Sequence, residues 1–268
     1  MPQLARDFQV VAVDQRGIGL SDKPPDGYDT GTLASDLVAL MEGLGHQRFA
    51  LVGFDTGVAI AYALAADHRD RVERLVVGEG PLPGVAPSPP LFLPGPLNER
   101  LWHIGFNRTA EVNERLVKGR EDIYIGNEYA VAAAKPLPNY AVNDYIDILR
   151  SHKHALRGSF GWYRALDATI AQEAQRKTRR LTLPVLAIGG QYSGGERVAD
   201  AMKLAADDVQ TVAIPGSDGR DGAAVVPRGA GRRRRHARPN GRDRASLSVA
   251  GSRRGRAAAC CPPAAWPP

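Results

Sequence analysis

Hydrophobic residues fall into two alternating rhythms along this chain. Phe8 to Val13 (FQVVAV), Phe49 to Phe54, Leu75 to Gly78, Leu183 to Ile188 (LPVLAI) and Val209 to Ile214 are short apolar runs. Runs of that length and β-branched character predict strands buried in a parallel sheet. Between them the spacing changes. Thr32 to Leu44 carries Leu33, Leu37, Leu40, Met41 and Leu44 on one helical face and stops at Gly45, and Gly57 to Asp67 and Arg197 to Ala206 also read as helices. Strands alternating with helices at this spacing predict a parallel α/β sheet. The alternation breaks in a Pro-rich loop, Pro81 to Pro96, and a mainly helical, aromatic-bearing stretch runs from Leu97 to about Ala174. A helical block inserted there predicts a cap over the C-terminal edge of the sheet, where α/β active sites lie. The expected organisation is a core in residues 1–80 and 181–215, a helical cap in 81–180, and a separate segment in 216–268.

Composition narrows the class. With 268 residues, 43% hydrophobic and 24% charged, the chain can bury one full core. Its apolar runs are too short to span a bilayer, and MPQLARDF has no apolar stretch or cleavage pattern of a secretory signal, so a cytoplasmic protein with no membrane partner is expected. The only cysteines, Cys260 and Cys261, are adjacent, which excludes a disulfide framework and a Cys-based zinc site; no metal or other cofactor is expected. Locating the net charge of +6 changes its meaning. Gly216 to Pro268 holds twelve Arg and three Asp with no Lys or Glu, hence +9, which leaves −3 for residues 1–215. That segment also lacks Ile, Phe, Tyr, Gln and Thr, so disorder is expected. The change is abrupt and falls in mid-motif, as in an out-of-frame reading of a GC-rich gene; resequencing tests that expectation. Its RRRR run lacks interleaved aromatics or a recognised fold, so no nucleic-acid partner is expected.

Gly53-Phe54-Asp55-Thr56-Gly57 follows a strand and opens a helix. This is the layout of a nucleophile elbow, G-x-Nuc-x-G, with a carboxylate as the nucleophile. Side chains at the two glycines are expected to clash with the neighbouring strand and helix. A carboxylate in that turn attacks an sp³ carbon and forms an ester. On these five residues alone, Asp55 as a simple helix cap fits equally well.

The wider context carries a resemblance. V-A-V-D-Q-R-G-I-G-L-S-D-K-P, then Gly27-Tyr28, then L-G-H-Q-R-F-A-L-V-G-F-D-T-G and D-R-V-E-R-L-V-V are very similar to soluble epoxide hydrolases and haloalkane dehalogenases, over about residues 4 to 216. The resemblance implies an α/β-hydrolase fold with a helical cap, Asp55 as nucleophile, the Thr56 N–H as an oxyanion donor, and a pocket lined by Phe54, Trp102 and His103. Ser193 falls where epoxide hydrolases usually place the acid that orients a catalytic His. Glu79, 24 residues past Asp55, occupies the family's alternative acid position, with Glu196 a weaker candidate. In the cap, F-G-W-Tyr163-R matches a segment bearing one of two tyrosines that donate to the epoxide oxygen. No tyrosine stands at the other position, near Leu101 to Ile104, where Trp102 or His103 is expected on the wall. Haloalkane dehalogenases carry Trp where Thr56 stands, and fluoroacetate dehalogenases carry Arg residues that Asp55 to Ala59 lacks.

Two family parts have no counterpart in the sequence. The oxyanion motif H-G-x-P belongs upstream of Phe8, together with a strand between Phe8–Val13 and Phe49–Phe54. The G-H-W that supplies the catalytic His is replaced by Ser217-Asp218-Gly219-Arg220. His46, His68, His152 and His154 read as surface residues, and His236 is the sole His beyond the last strand. The expectation is an epoxide hydrolase-type enzyme for a small apolar epoxide or halide, impaired in ester hydrolysis. The alternatives are a dehalogenase on the same fold and a non-catalytic ligand-binding relative. Oligomeric state is not legible.

Overall fold

A computed structural model describes residues 3–132 and 136–217. In chain order these form α1 (Thr30–Gly43), β1 (Phe49–Phe54), α2 (Thr56–Asp67), β2 (Val72–Gly78), α3 (Gly95–Arg108), α4 (Val112–Val117), α5 (Glu121–Ala132), α6 (Asn139–Ser151), α7 (Ala155–Arg164), α8 (Leu166–Arg176), β3 (Val185–Gly190), α9 (Arg197–Lys203) and β4 (Val209–Ile214), after a 3₁₀ turn at Leu4–Arg6. The strands pair in parallel in the order β1-β2-β3-β4. Helices α1, α2 and α9 share one apolar cluster with the strands. Leu51, Leu75, Val77, Val185 and Ala187 meet Val38, Tyr62, Leu64, Val198 and Met202 there. Strand alternation sends Val52 to the opposite face, where it is 58% exposed.

The helices begin and end for local reasons. The Asp29 side chain accepts from the Thr32 N–H at 3.1 Å and caps α1. Gly45, at φ 83°, closes the helix with paired bonds from the Gly45 N–H to the Glu42 carbonyl (2.9 Å) and from the His46 N–H to the Met41 carbonyl (2.8 Å). That is a Schellman stop, which needs a left-handed residue after the cap. The Ala-rich sequence of α2 lets it lie tight on the sheet, with every residue from Val58 to Ala65 buried.

Helices α3 to α8 fill the interval between β2 and β3. They have an apolar centre of their own around Tyr124, Ile125, Tyr129, Ile146 and Phe160. The last of them is tied to the core by polar groups. Arg176 grips Asp67 of α2 (2.6 Å) and the Thr30 hydroxyl of α1 (2.9 Å), and Gln172 donates to Asp29 (2.8 Å). Glu173 is fully buried within this clasp; burial pushes its carboxyl up to about 7, against the pull of Arg176 and Thr30.

Some expectations need correction. Phe8 to Val13 is not a strand: it makes no ladder, and Phe8 is 65% exposed. Strand geometry needs a neighbouring chain to take its N–H and C=O groups, and none of the described residues pairs with the outer edge of β1. The strand expected at Leu183 starts at Val185 and ends at Gly190, the helix expected to Ala206 ends at Lys203, and the strand expected at Leu75 starts at Val72. The expected disordered segment lies, from residue 218 onward, outside the described residues, as do His236 and Asp218 to Arg220.

Candidate active site

The C-terminal ends of β1 and β2 carry the site's two acidic groups side by side. Asp55 follows β1 and Glu79 follows β2, both nearly fully buried. Both have the left-handed backbone that L-residues rarely adopt, φ 56° and 53°. Strain of this kind costs on the order of 1–3 kcal/mol per residue and persists where the surroundings over-determine it. The ladder enforces it here. The Asp55 N–H still donates to the Gly78 carbonyl (3.0 Å) and the Glu79 N–H to the Ile188 carbonyl (3.3 Å), so each chain must turn sharply after its last sheet bond.

Close approach at the elbow depends on glycines, but not on both that flank Asp55. A Cβ on Gly53 would run into the Gly57 carbonyl and Ala61, and one on Gly80 into the Asp55 carbonyl. A Cβ on Gly57 would meet nothing within 4 Å, which corrects the expectation of a clash there. The Asp55 side chain accepts from the Thr56 N–H at 2.5 Å, at the positive end of α2. So the N–H expected to serve an oxyanion is bonded to the carboxylate beside it, and the cap and elbow readings of Asp55 both describe the geometry.

Glu79 reaches across to the loop after β3. Its carboxylate accepts from the Gly190 N–H, the Ser193 hydroxyl and, at 3.0 Å, the Gly194 N–H. The two positions read from the sequence as alternative places for an acid are thus joined: Glu79 supplies the carboxylate and Ser193 a donor that aims it. Glu196 is exposed and stands apart at the start of α9.

Above the elbow, α7 closes a small cavity. Thr56, Leu33, Tyr28, Trp162 and Tyr163 are among its lining, and it holds about 20 Å³, room for a water-sized centre. Tyr163 therefore faces the same space as the elbow. Tyr28, which Gly27-Tyr28 marked only as part of a motif, wedges against Gly161 of α7 so tightly that a Cβ there would overlap its ring. His103 stands edge-on to Tyr163, ring centroids 5.9 Å apart. Its imidazole is pushed down to about 4 by burial, while the Arg100 carbonyl pulls the other way; Glu128 Oε2 lies 3.1 Å from Nδ1.

Trp102 does not join this wall. Successive residues on a helix point about 100° apart, and Trp102 packs instead on Phe106 and Tyr124, at 5.2 and 6.0 Å. It lines a second, more open cavity of about 590 Å³ between α3, α4 and α5. Phe54 covers Gly78 and does not line the small cavity. The sequence pointed to Trp102 and His103 equally; only the helix phase separates them. Glu128 escaped notice because its partner lies on another helix, which no local pattern signals. Among the described residues no cluster of His, Cys, Asp or Glu is arranged to hold a metal ion, and no helix is long and apolar enough to cross a membrane.

A family profile described as alpha/beta hydrolase fold matches residues 1–193. A soluble epoxide hydrolase from Corynebacterium sp. (strain C12) is 29% identical over 218 residues, covering 80% of this chain and 75% of that protein. A fluoroacetate dehalogenase from Burkholderia sp. is 44% identical over 81 residues, 28% of this chain and 27% of that one. The crystal structure of wild-type Cfl2 from Burkholderia cenocepacia superimposes with a TM-score of 0.78 at 31% identity, covering 84% of this chain and 79% of that one.

Proposed function

Because the chain belongs to the α/β-hydrolase fold family and is epoxide hydrolase-like within it, we propose that it attacks small apolar epoxides through Asp55. In this reading residues 1–80 and 181–215 are the catalytic core and 81–180 are the cap. One observation carries it: the buried Asp55 carboxylate sits on a strained strand-to-helix turn, next in the chain to Thr56, which lines a cavity together with Tyr163. A carboxylate oxygen of Asp55 attacks one ring carbon; the ester C–O bond forms as the ring C–O bond breaks. The departing oxygen takes a proton from Tyr163, with His103, edge-on to Tyr163, as the second donor in place of a second phenol. Water attack on the ester is the second step, and Glu79, aimed by Ser193, is the acid that orients a base for it.

Of the described histidines, His103 is assigned in this reading to the epoxide oxygen, and the other four are poorly placed to be that base. His46 precedes β1 and His68 follows α2. Both therefore stand at the opposite end of their element from Asp55, roughly 18 Å or more away by strand and helix rise. His152 and His154 are exposed before α7. The expected outcome is a first step without efficient second step.

The test is covalent labelling. Incubation with styrene oxide should add one adduct mass to a peptide containing Asp55, and Asp55→Asn should lose it; an adduct that survives in Asp55→Asn, or that maps to Glu79, would overturn the assignment. The Burkholderia relative favours a second reading, dehalogenation on the same nucleophile. It requires release of fluoride from fluoroacetate, which the missing arginines between Asp55 and Ala59 argue against.

A further inference from the structure

Behind the wall formed by His103 and Tyr163 stands a carboxylate that the reaction above does not use. Glu128 Oε2 of α5 lies 3.1 Å from His103 Nδ1 of α3, and the two residues are 3% and 2% exposed. The His103 ring in turn meets Tyr163 of α7 edge-on. Three helices each contribute one group, in the order carboxylate, imidazole, phenol. Burying a carboxylate costs several kcal/mol unless something offsets it, and an imidazole 3.1 Å away is one group able to do so.

We propose that Glu128 is a positioning residue whose carboxylate favours the protonated form of the His103 imidazole, the form that can donate toward the oxygen that Tyr163 faces. An opposite charge within about 4 Å favours the charged form of a titrating group. The imidazolium–carboxylate pair also carries no net charge, so burial opposes it less than it opposes a lone imidazolium. With both ring nitrogens protonated, Nδ1 faces Glu128 and Nε2 is a donor. Other groups bearing on the pair include Tyr163 from α7, the Tyr124 hydroxyl from α5, which donates to Asn107 at 2.9 Å, and the Arg100 carbonyl from α3, which favours the protonated ring. Only the destination of the donated proton rests on the epoxide reading; the coupling of Glu128 to His103 stands apart from it.

The experiment reads the two separately in the full 268-residue chain. Proton–nitrogen NMR of ¹⁵N-histidine-labelled protein gives the His103 titration midpoint, assigned by its loss in His103→Gln. Glu128→Gln should lower that midpoint by about one pH unit or more. Should that variant fail to fold by circular dichroism, Glu128→Asp, which keeps the charge one methylene farther away, should lower it by less. An unchanged midpoint in a folded variant overturns the proposal. The rate of Asp55 alkylation by styrene oxide, followed by mass across pH, should fall as His103 loses its proton. In Glu128→Gln that fall should move to lower pH by the same interval; a shifted midpoint with an unmoved alkylation profile overturns the positioning role. A shifted midpoint with no alkylation in any variant keeps the coupling and removes the epoxide reading instead.

Discussion

Single residues decide the chemistry, and they differ in how visible they are from the sequence. The sharp turn at Asp55 between β1 and α2 was legible because the elbow spacing is local. Its neighbours Gly53 and Gly57 look equivalent in the motif, yet only Gly53 is hemmed in by the helix. Gly53→Ala should destabilise the fold by about 1–3 kcal/mol, the usual cost of overpacking. Gly57→Ala, in an open helical position, should be neutral or stabilising by up to about 1 kcal/mol. Urea midpoints of the two variants check this, and equal losses would mean that both glycines are sterically required. Tyr163 faces the elbow's cavity, and its hydroxyl is the part that the chemistry needs. Tyr163→Phe should slow Asp55 alkylation roughly 10²–10⁴-fold, the range for a general acid, in a protein that melts as before. An unchanged alkylation rate would return Tyr163 to a packing role. Glu79 was legible as a position but not as a geometry: that Ser193 donates to it depends on how β3 lies beside β2, a contact 114 residues apart in the chain.

Elements were read best where the hydrophobic period is long and worst where tertiary partners decide. Helix α1 and strands β1 and β4 were expected almost to their ends, because the apolar rhythm and the stop at Gly45 are local signals. Phe8 to Val13 has the composition of a strand and fails to become one, since a strand is a property of a pair. The docking of α8 was invisible for a related reason: Gln172, Glu173 and Arg176 look like a solvated helical face, yet they reach Asp29, Thr30 and Asp67 on α1 and α2. This clasp should depend on pH. The Glu173 carboxyl is raised from an ordinary 4.5 to about 7, so the folded chain holds a proton that the unfolded chain releases between those values. Its contribution is therefore fully present below about pH 4.5 and is lost as pH rises through about 7, with no further change above. A shift of that size corresponds to roughly 3 kcal/mol. Melting temperatures at pH 5.5 and 8 should differ more in the wild type than in Glu173→Gln. An equal pH dependence in the two proteins would mean that Glu173 does not change its protonation on folding.

At the scale of the molecule, the two halves of the reaction rest on different parts of the chain. The groups proposed for alkylation, Asp55, Tyr163 and His103, all belong to the described residues, whereas no described histidine other than His103, which this reading assigns to the epoxide oxygen, is placed to activate water beside Glu79. The chain should accordingly take one equivalent of epoxide and keep it. The adduct mass should persist for hours in buffer, since one general base is worth about 10²–10⁴ in rate. Steady diol release over many turnovers would mean that another residue, His236 for instance, reaches the ester. The architecture itself was legible as alternation, and the inserted helices as a break in it. What alternation does not report is that, among the described residues, Val52 is 58% exposed and nothing pairs with the outer margin of β1. Such a margin makes concentration a structural variable. An edge of that kind gives neighbouring molecules a row of backbone donors and acceptors to pair with, so a preparation should stay dispersed for less time as it is made more concentrated.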